Sequence, residues 1–289
     1  MAELQRIVIT GAGGQVGRYL AAIAERRGHD VSAYPSAQWD ITDPQAGQRI
    51  VRAGDVVVNC AALTAVDEAE NNAESAYAVN VTGAQNVARA CAQAGAGLIH
   101  ISTDYVFSGR FAAQPRPYEP GDAAEPISVY GRTKLAGELA VLDTLPGATV
   151  ARTAWVYTGR PGGTDFVAAM RAKAATGDTV DVVADQIGSP TYVADLCAAL
   201  LEIAAGATHA PVLHVANSGP ASRFDQARAV FAALGADPER VRPIGTDAHP
   251  RPAPRPPYSA LGGEASATAG LTPLRPWQEA LVDSVRTEL

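Results

Sequence analysis

The chain has 289 residues, of which 47% are hydrophobic and 18% are charged, and its formal net charge is −7. This composition is typical of a globular protein, and the acidic balance without any basic run argues against general nucleic-acid binding. No apolar run approaches the roughly 20 residues that a membrane-spanning helix needs, so we expect no membrane association.

Short β-branched runs alternate with alanine-rich stretches of helical length through the first half of the chain. The predicted strands are Arg6–Thr10, Asp30–Tyr34, Asp55–Asn59, Leu98–Thr103 and Ala148–Val156. The predicted helices are Val16–Arg27, Pro44–Val51, Glu74–Gln93 and Ser128–Leu142. This alternation predicts an α/β fold with a Rossmann-like, doubly wound parallel sheet.

The alternation loosens after Val156. Helices are predicted at Thr164–Ala175, Tyr192–Ala204, Arg223–Leu234 and Trp277–Thr287, and strands near Thr179–Val183 and Val212–Val215. The segment 242–257 holds six prolines, which predicts extended or looped chain. We expect one domain in residues 1–156, to which the chain partly returns at about 184–217, and a smaller C-terminal α/β lobe formed mainly by residues 157–289.

A glycine-rich turn joins the first predicted strand to the first predicted helix. Gly11, Gly14 and Gly17 follow Thr10 directly. Small residues at such a turn let backbone amides approach a pyrophosphate at the positive end of a helix. The placement predicts a dinucleotide-binding turn, with a plain tight turn as the alternative interpretation.

The second predicted strand ends without the acidic residue that binds a free ribose hydroxyl. Tyr34 and Ser36 stand there instead, so a 2′-phosphate is tolerated. This favours NADPH and leaves NADH as the alternative. Asp40 is expected to approach the adenine, whereas Asp43 before Pro44 is typical of a helix N-cap.

Tyr130 and Lys134 lie four residues apart, about one helical turn, and Lys134 is one of only two lysines in the chain. An ammonium beside a phenol favours phenolate, so Lys134 is expected to lower the pKa of Tyr130 and make it a proton donor. Thr103 ends a predicted strand, at the edge where a parallel sheet meets its ligands. The three groups are predicted to converge on one carbonyl oxygen. The alternative is a strand terminus beside an ion-paired surface helix.

Several longer runs resemble those of a known family. They are Trp39–Asp43, Val58–Asp67, Ser102–Phe107, Arg152–Tyr157, Asp185–Thr191 and Arg251–Ser259. The most specific are Ser-Thr-Asp-Tyr-Val-Phe and Asp-Gln-Ile-Gly-Ser-Pro-Thr. Together with the glycine turn and the Tyr130/Lys134 pair, they resemble the extended short-chain dehydrogenase/reductases over essentially the whole chain. Within that family the resemblance is to the dTDP-4-dehydrorhamnose reductases.

The resemblance implies NADPH-dependent reduction of the C4 keto group of dTDP-4-dehydro-L-rhamnose, with NADP(H) bound by residues 1–156 and the sugar nucleotide mainly by 157–289. The implied catalytic residues are Thr103, Tyr130 and Lys134. The implied cofactor contacts are Gly11, Gly14, Gln15, Val16, Gly17, Asp40, Ile41, Ala62, Leu63, Thr64, Tyr130 and Lys134. The implied substrate contacts are Thr103, Asp104, Trp155 and Arg255. Arg255 would face the diphosphate, unless the proline-rich segment is only a connector.

Two positions depart from the family pattern. Leu63 stands where an aromatic or imidazole ring is expected, and Tyr19 stands where some bacterial relatives have a glutamate that holds magnesium between two subunits. Magnesium binding therefore stays open, as does the choice between monomer and homodimer. The five histidines and the cysteines Cys60, Cys91 and Cys197 form no metal-binding motif, so we assign no metal ligand. Scattered cysteines in apolar stretches favour reduced thiols in a cytoplasmic protein.

Two other functions are weighed against the reductase. The first is a nucleotide-sugar dehydratase or epimerase; dehydration commonly uses an Asp-Glu pair after the threonine, where this chain has Asp104-Tyr105. The second is a non-catalytic, dinucleotide-binding regulatory subunit of the methionine adenosyltransferase type, which also resembles this family.

The acidic cluster Asp67–Glu70 is interpreted as a solvated helix start without a chemical role.

Overall fold

The computed structural model describes residues 6–286, and its largest element is a parallel sheet. The strands are β1 (Ile7–Thr10), β2 (Val31–Tyr34), β3 (Val56–Asn59), β4 (Gly97–Thr103), β5 (Thr149–Thr153), β6 (Val156–Tyr157), β7 (Val180–Val183), β8 (Ile187–Gly188), β9 (Thr191–Tyr192), β10 (Val212–His214), β11 (Ala221–Ser222) and β12 (Val241–Ile244). The helices are α1 (Gln15–Arg26), α2 (Val66–Asn71), α3 (Ala73–Tyr77), α4 (Ala84–Ala94), α5 (Val129–Thr144), α6 (Phe166–Ala175), α7 (Val193–Ala204), α8 (Arg223–Ala233), α9 (Glu264–Thr268) and α10 (Trp277–Arg286). The main sheet has the order β10-β5-β4-β3-β1-β2, and all neighbouring strands in it run parallel.

Alternate residues of the central strands enter two different cores. Ile7 and Ile9 of β1 pack with α1 and α7, whereas Val8 packs with α4 on the other face of the sheet. Successive side chains of a strand point to opposite faces, so a strand covered on both faces must be apolar throughout. The run Val-Val-Val in β3 is of this kind. The predicted doubly wound α/β fold is confirmed.

The direction of the chain changes at β1. From β1 the chain passes outward to β2, and it then returns to β3 on the opposite side of β1 and continues to β4 and β5. Open parallel sheets bind their ligands at such a point, outside the carboxyl ends of the strands. The start of α1, the segment after β3 and the end of β4 meet there.

Three predicted elements differ from the structure. The helix predicted at Pro44–Val51 is wrong: only a 3₁₀ turn forms, at Gly47–Arg49, because most backbone hydrogen bonds here join residues three positions apart, as from Arg49 to Ala46 and from Ile50 to Gly47. The helix predicted at Glu74–Gln93 consists of α3 and α4 joined by a π-helical segment, Ala78–Gly83. The strand predicted at Ala148–Val156 is interrupted because Trp155 has a φ of 46°, which cannot continue a strand.

The second half of the chain surrounds the main sheet with small two-stranded sheets. β10 lies beside β5, so the chain does return to the main sheet. β7 pairs with β12, β6 pairs with β9, and β8 pairs with β11. The proline-rich segment begins in β12 and continues as a 3₁₀ turn and irregular chain, as expected. The domain limits remain a prediction, and Thr287, the last residue of the last predicted helix, lies outside the described residues.

Candidate active site

A cleft of about 410 Å³ lies at the carboxyl ends of the main strands. Most of the predicted site residues line it: Gly14, Gln15, Val16, Gly17, Ala62, Thr64, Thr103, Asp104, Tyr130, Lys134 and Trp155. Five predicted site residues are not part of the lining in the described chain: Gly11, Asp40, Ile41, Leu63 and Arg255. The cleft also contains Arg223, which the sequence analysis did not single out.

The glycine turn is shaped by close backbone contacts. Gly11 has a φ of 61°, and a Cβ there would lie 2.6 Å from the backbone nitrogen of Ala61. A Cβ on Gly17 would lie 2.6 Å from the carbonyl oxygen of Gly11. Gly14 precedes α1 and supplies no side-chain cap, so the first N–H groups of that helix remain available to an anion at the cleft. These residues fit the pyrophosphate of a dinucleotide.

The residues expected near the adenine lie beside the cleft. Asp40 is exposed and accepts hydrogen bonds from the backbone nitrogen and the hydroxyl of Thr42, at 2.9 and 2.8 Å. Ile41 is buried against Gly83. Asp43 accepts from the backbone nitrogen of Gln45 at 2.9 Å, so it closes a turn instead of capping the predicted helix.

The start of α5 places Tyr130 and Lys134. Ser128 caps this helix: its hydroxyl accepts a hydrogen bond from the backbone nitrogen of Gly131 at 3.0 Å. The carboxylate of Glu70 accepts a second hydrogen bond from the backbone nitrogen of Val129 at 2.7 Å. A Cβ on Gly131 would lie 2.2 Å from the carbonyl oxygen of Tyr105, so the helix packs directly on the segment that follows β4. Thr103 at the end of β4 thereby comes within hydrogen-bond reach of the Tyr130 phenol.

The expected effect of Lys134 on Tyr130 is wrong for this structure. Burial raises the pKa of Tyr130, and the hydrogen bond from Thr103 acts in the opposite direction. The Nζ of Lys134 donates to the carbonyl oxygen of Ile101 at 2.8 Å and lies 3.5 Å from the Nε2 of His100. Burial lowers the pKa of Lys134 to about 8, while Glu138 and Cys60 raise it. The ammonium is thus directed to the sheet below the phenol.

A chain of hydrogen bonds runs through the sheet below Lys134 and ends at His100. The Oδ1 of Asn59 accepts from the Thr10 hydroxyl at 2.6 Å and from the backbone nitrogen of Ala61 at 3.2 Å, which fixes the orientation of its amide. The Nδ2 of Asn59 therefore donates to the Nδ1 of His100 at 3.1 Å. Burial holds the pKa of His100 well below its usual value, so the ring is neutral and its proton lies on Nε2, facing Lys134.

One helical turn further along α5, a buried ion pair joins this helix to β5. Arg152 donates to Glu138 from Nε at 3.0 Å and from Nη2 at 2.7 Å, and both side chains are almost wholly buried. The Ser102 hydroxyl donates to the same carboxylate at 2.5 Å. We call Asn59, His100, Lys134, Glu138 and Arg152 the cleft floor. The sequence analysis identified only Lys134 among them, because each of the others is an ordinary polar residue until the fold brings it to its partner.

The opposite side of the cleft, the cleft wall, consists of Asp104, Trp155 and Arg223. The carboxylate of Asp104 accepts from the Ser259 hydroxyl at 2.5 Å and from the Thr103 hydroxyl at 3.0 Å. Burial raises the pKa of Asp104 to about 6 although both hydrogen bonds lower it. Arg223 lies over the indole of Trp155, with its guanidinium carbon 3.6 Å from the ring centre.

The π-helical segment has a structural reason in this site. Asn80 lies within it and holds the backbone of Leu63 at both ends: its Oδ1 accepts from the nitrogen at 2.9 Å, and its Nδ2 donates to the carbonyl at 3.1 Å. Leu63 in turn packs in the small cluster around Tyr130. π-helical segments are frequent at functional sites. The sequence shows no sign of this interruption, since Ala78–Gly83 is compatible with an ordinary helix.

The acidic cluster is not simply solvated. Asp67 accepts two hydrogen bonds from Arg255, at 2.5 and 3.0 Å, and one from the backbone nitrogen of Ala253 at 3.1 Å. The bond from Arg255 is the main reason why the pKa of Asp67 falls to about 2. The structure therefore places Arg255 in an ion pair with α2, which holds the proline-rich segment against the first domain.

Residues 6–286 contain no group of three or more His, Cys, Asp or Glu side chains arranged to hold a metal ion. Tyr19, at the position considered for magnesium, packs against the core on the α1 side of the sheet. None of the described helices has both the length and the apolar character needed to cross a membrane.

Known proteins with similar sequences and structures agree with one another. A family model described as the RmlD substrate binding domain matches residues 5–289. The dTDP-4-dehydrorhamnose reductase of Mycobacterium tuberculosis (strain CDC 1551 / Oshkosh) is 61% identical over 282 residues, which are 97% of this chain and 92% of that protein. The solved dTDP-4-dehydrorhamnose reductase of Clostridium acetobutylicum has a TM-score of 0.90 at 36% identity, covering 98% of this chain and 99% of the other. That of Bacillus anthracis, in complex with NADP, has a TM-score of 0.89 at 34% identity, covering 96% and 98%.

Proposed function

Because the chain belongs to the family described by the RmlD substrate binding domain, and is an NAD(P)-dependent oxidoreductase, we propose that it reduces the C4 keto group of dTDP-4-dehydro-L-rhamnose to give dTDP-L-rhamnose. NADPH is the proposed cofactor, since the end of β2 has no acidic residue and a similar reductase was solved with NADP. We also propose a cytoplasmic location, and we leave monomer and homodimer as alternatives.

The observation that carries this proposal is that Thr103, Tyr130 and Lys134 line one cleft together with the glycine turn. Two hydroxyl groups side by side can both donate to one carbonyl oxygen. That arrangement stabilises the negative charge that develops on the oxygen during hydride transfer. A bound nicotinamide supplies the hydride.

In the proposed mechanism, Tyr130 transfers its phenolic proton to the C4 oxygen as that oxygen becomes an alkoxide. The phenol of Tyr130 is protonated at neutral pH, because burial raises its pKa, so the proton is in place for this transfer. Lys134 donates to the carbonyl oxygen of Ile101 and lines the same cleft as Tyr130, where its remaining N–H groups would hold the ribose of a bound nicotinamide cofactor. Thr103 holds the reacting oxygen against Tyr130, and Asp104, fixed by Ser259, contacts the sugar beside it.

The test is a substrate panel with both cofactors. We expect NADPH absorbance to fall only when dTDP-4-dehydro-L-rhamnose is added, with a slower reaction for NADH and for UDP- or GDP-linked 4-keto sugars. Formation of dTDP-L-rhamnose, identified by mass spectrometry and NMR, completes the measurement. Tight binding of NADPH without any substrate-dependent oxidation would contradict the proposal and favour a non-catalytic regulatory subunit.

A further inference from the structure

A partly buried arginine lines the cleft without a carboxylate bound to it among the described residues. Arg223 is the first residue of α8, and the reciprocal cap formed by Ser222 and Asp225 fixes that turn. Its guanidinium lies between two rings, 3.6 Å from the centre of Trp155 and 4.9 Å from that of Phe166. Its hydrogen bond goes to the neutral amide of Gln226, from Nη1 to Oε1 at 3.1 Å.

The other cations around the cleft are already engaged. Lys134 donates to Ile101, Arg152 is paired with Glu138, and Arg255 is paired with Asp67. Within the described part of the chain, the cations that line the cleft itself are Lys134 and Arg223. Neither of them has an anionic partner in hydrogen-bond contact, and Lys134 already has a proposed role at the reacting centre, so Arg223 is the cleft cation whose charge is still unassigned.

Asp104 is not a hydrogen-bond partner of Arg223, although its charge is close enough to act on the guanidinium. Its two carboxyl oxygens accept from Thr103 and Ser259 instead. Burial lowers the pKa of Arg223 to about 10, against the influence of Tyr105 and Asp104. A guanidinium has five N–H donors, and among the described residues this one donates to the side chain of Gln226 alone. A ligand that brings phosphate oxygens would accept from the remaining donors.

We propose that Arg223 binds the diphosphate of the sugar nucleotide, while the Trp155 ring holds the plane of its guanidinium and Gln226 holds one edge. The inference rests on the proposed function, because it takes a sugar nucleotide as the substrate. A planar fork of N–H groups matches a pair of phosphate oxygens, and stacking on an aromatic ring leaves its edges free to donate. This assignment replaces Arg255, which the sequence analysis expected to face the diphosphate.

Calorimetric titrations with dTDP and with thymidine, both in the presence of saturating NADPH, test the assignment. In Arg223→Met, which keeps an unbranched apolar stem and removes the guanidinium, the Kd for dTDP should rise about 10- to 100-fold, the loss expected for a hydrogen bond to a charged group. The Kd for thymidine, which has no phosphate, should stay unchanged. An unchanged Kd for dTDP would overturn the proposal, even if the full sugar nucleotide bound more weakly.

The matched control is Arg228→Met on the same helix. Arg228 also lies over an aromatic ring, that of Phe224, but it is paired with Glu239 and lies outside the cleft lining. We expect it to bind dTDP like the unchanged protein. A loss equal to that of Arg223→Met would contradict a local contact.

Arg223→Lys serves if Arg223→Met does not fold, as judged by NADPH binding and thermal unfolding. It keeps the charge but not the fork, so the Kd for dTDP should still rise several-fold while that for thymidine does not. Equal affinities for dTDP would overturn the proposal. The proposed function fails separately, if the unchanged protein binds dTDP but does not reduce dTDP-4-dehydro-L-rhamnose.

Discussion

On the cleft floor, Glu138 and Arg152 neutralise each other through two hydrogen bonds, and His100 is held neutral below Lys134. On the cleft wall, Asp104 is held only by hydroxyl groups and Arg223 only by a neutral amide and aromatic rings. The floor residues are all buried, whereas on the wall Asp104 is buried and Trp155 and Arg223 are partly exposed, a difference that goes with their roles. It separates residues that must keep a fixed position through the reaction from residues whose charge is to be met by the substrate.

The floor is positioned by the main sheet. The line from Thr10 through Asn59 and His100 to Lys134 crosses three neighbouring strands and ends on α5. The positions of these side chains are set by the register of the strands, so they can shift only if the strands shift. The wall depends instead on the single unusual backbone angle at Trp155 and on the start of α8. Substitutions in the two regions should therefore have different consequences.

The largest expected effect is on catalysis above the floor. Tyr130→Phe removes the proton donor and the hydrogen bond with Thr103, so kcat should fall about 10²- to 10⁴-fold, the range typical of general acid catalysis. The Kd for NADPH should stay nearly constant, because the ring itself is kept. The measurements are steady-state kinetics and cofactor titration, with Tyr77→Phe on an exposed tyrosine of α3 as the control. Normal turnover in Tyr130→Phe would remove this residue from the mechanism.

The second effect is on the stability of the floor. Glu138→Ala leaves the Arg152 guanidinium buried without its carboxylate, so the free energy of unfolding should fall by about 3 to 5 kcal/mol. Urea denaturation of both proteins gives this difference. The control is Arg116→Ala, which breaks a pair with Asp122 that also has two bonds but lies at the surface, and which should change stability little. An equal decrease in the free energy of unfolding for the two variants would contradict the conclusion that the buried ion pair on the floor matters more than the surface pair.

The third effect is the pH dependence of the wall. Asp104 has a pKa raised from 3.8 to about 6, so in its protonated form it favours the folded state. That contribution is complete below pH 3.8 and is lost as the pH rises through about 6, with a total of about 3 kcal/mol.

Asp104→Asn cannot ionise, so subtracting its unfolding free energy from that of the unchanged protein isolates this contribution. The difference should decrease by roughly 3 kcal/mol between about pH 4 and about pH 7. Denaturation series at several pH values provide the measurement. A difference that does not vary with pH would mean that the carboxyl group of Asp104 is not buried as the structure shows.

The smallest expected effect concerns His100, whose protonation state should not change with pH. His100 should remain neutral and carry its proton on Nε2 throughout the physiological pH range, because its pKa is held well below the usual value and Asn59 donates to Nδ1. The ring ¹⁵N signals of labelled protein report both properties, with the signal assigned from His100→Gln and the exposed His209 and His249 as references. A proton found on Nδ1 would overturn the described orientation of the Asn59 amide.

The fold could be predicted from the sequence because its signals are local. Apolar strands such as β3, followed by alanine-rich helical stretches, indicate a parallel sheet wherever they occur. The glycine turn was equally clear, because its glycines stand directly between a predicted strand and a predicted helix. The π-helical segment around Asn80 and the break at Trp155 were missed, since both exist to satisfy contacts with residues that are distant in the sequence.

The same reasoning divides the site. The amino-acid sequence by itself determined which residues end up at the open edge of the sheet, because Thr103 closes a strand and Tyr130 and Lys134 share one helix face. Only the tertiary structure decided how they are supported: His100 below Lys134, Asp67 holding Arg255, and Arg223 over Trp155. The physical reason is that a charge takes its role from the groups around it, and in a buried cleft those groups come from strands and helices far apart along the chain.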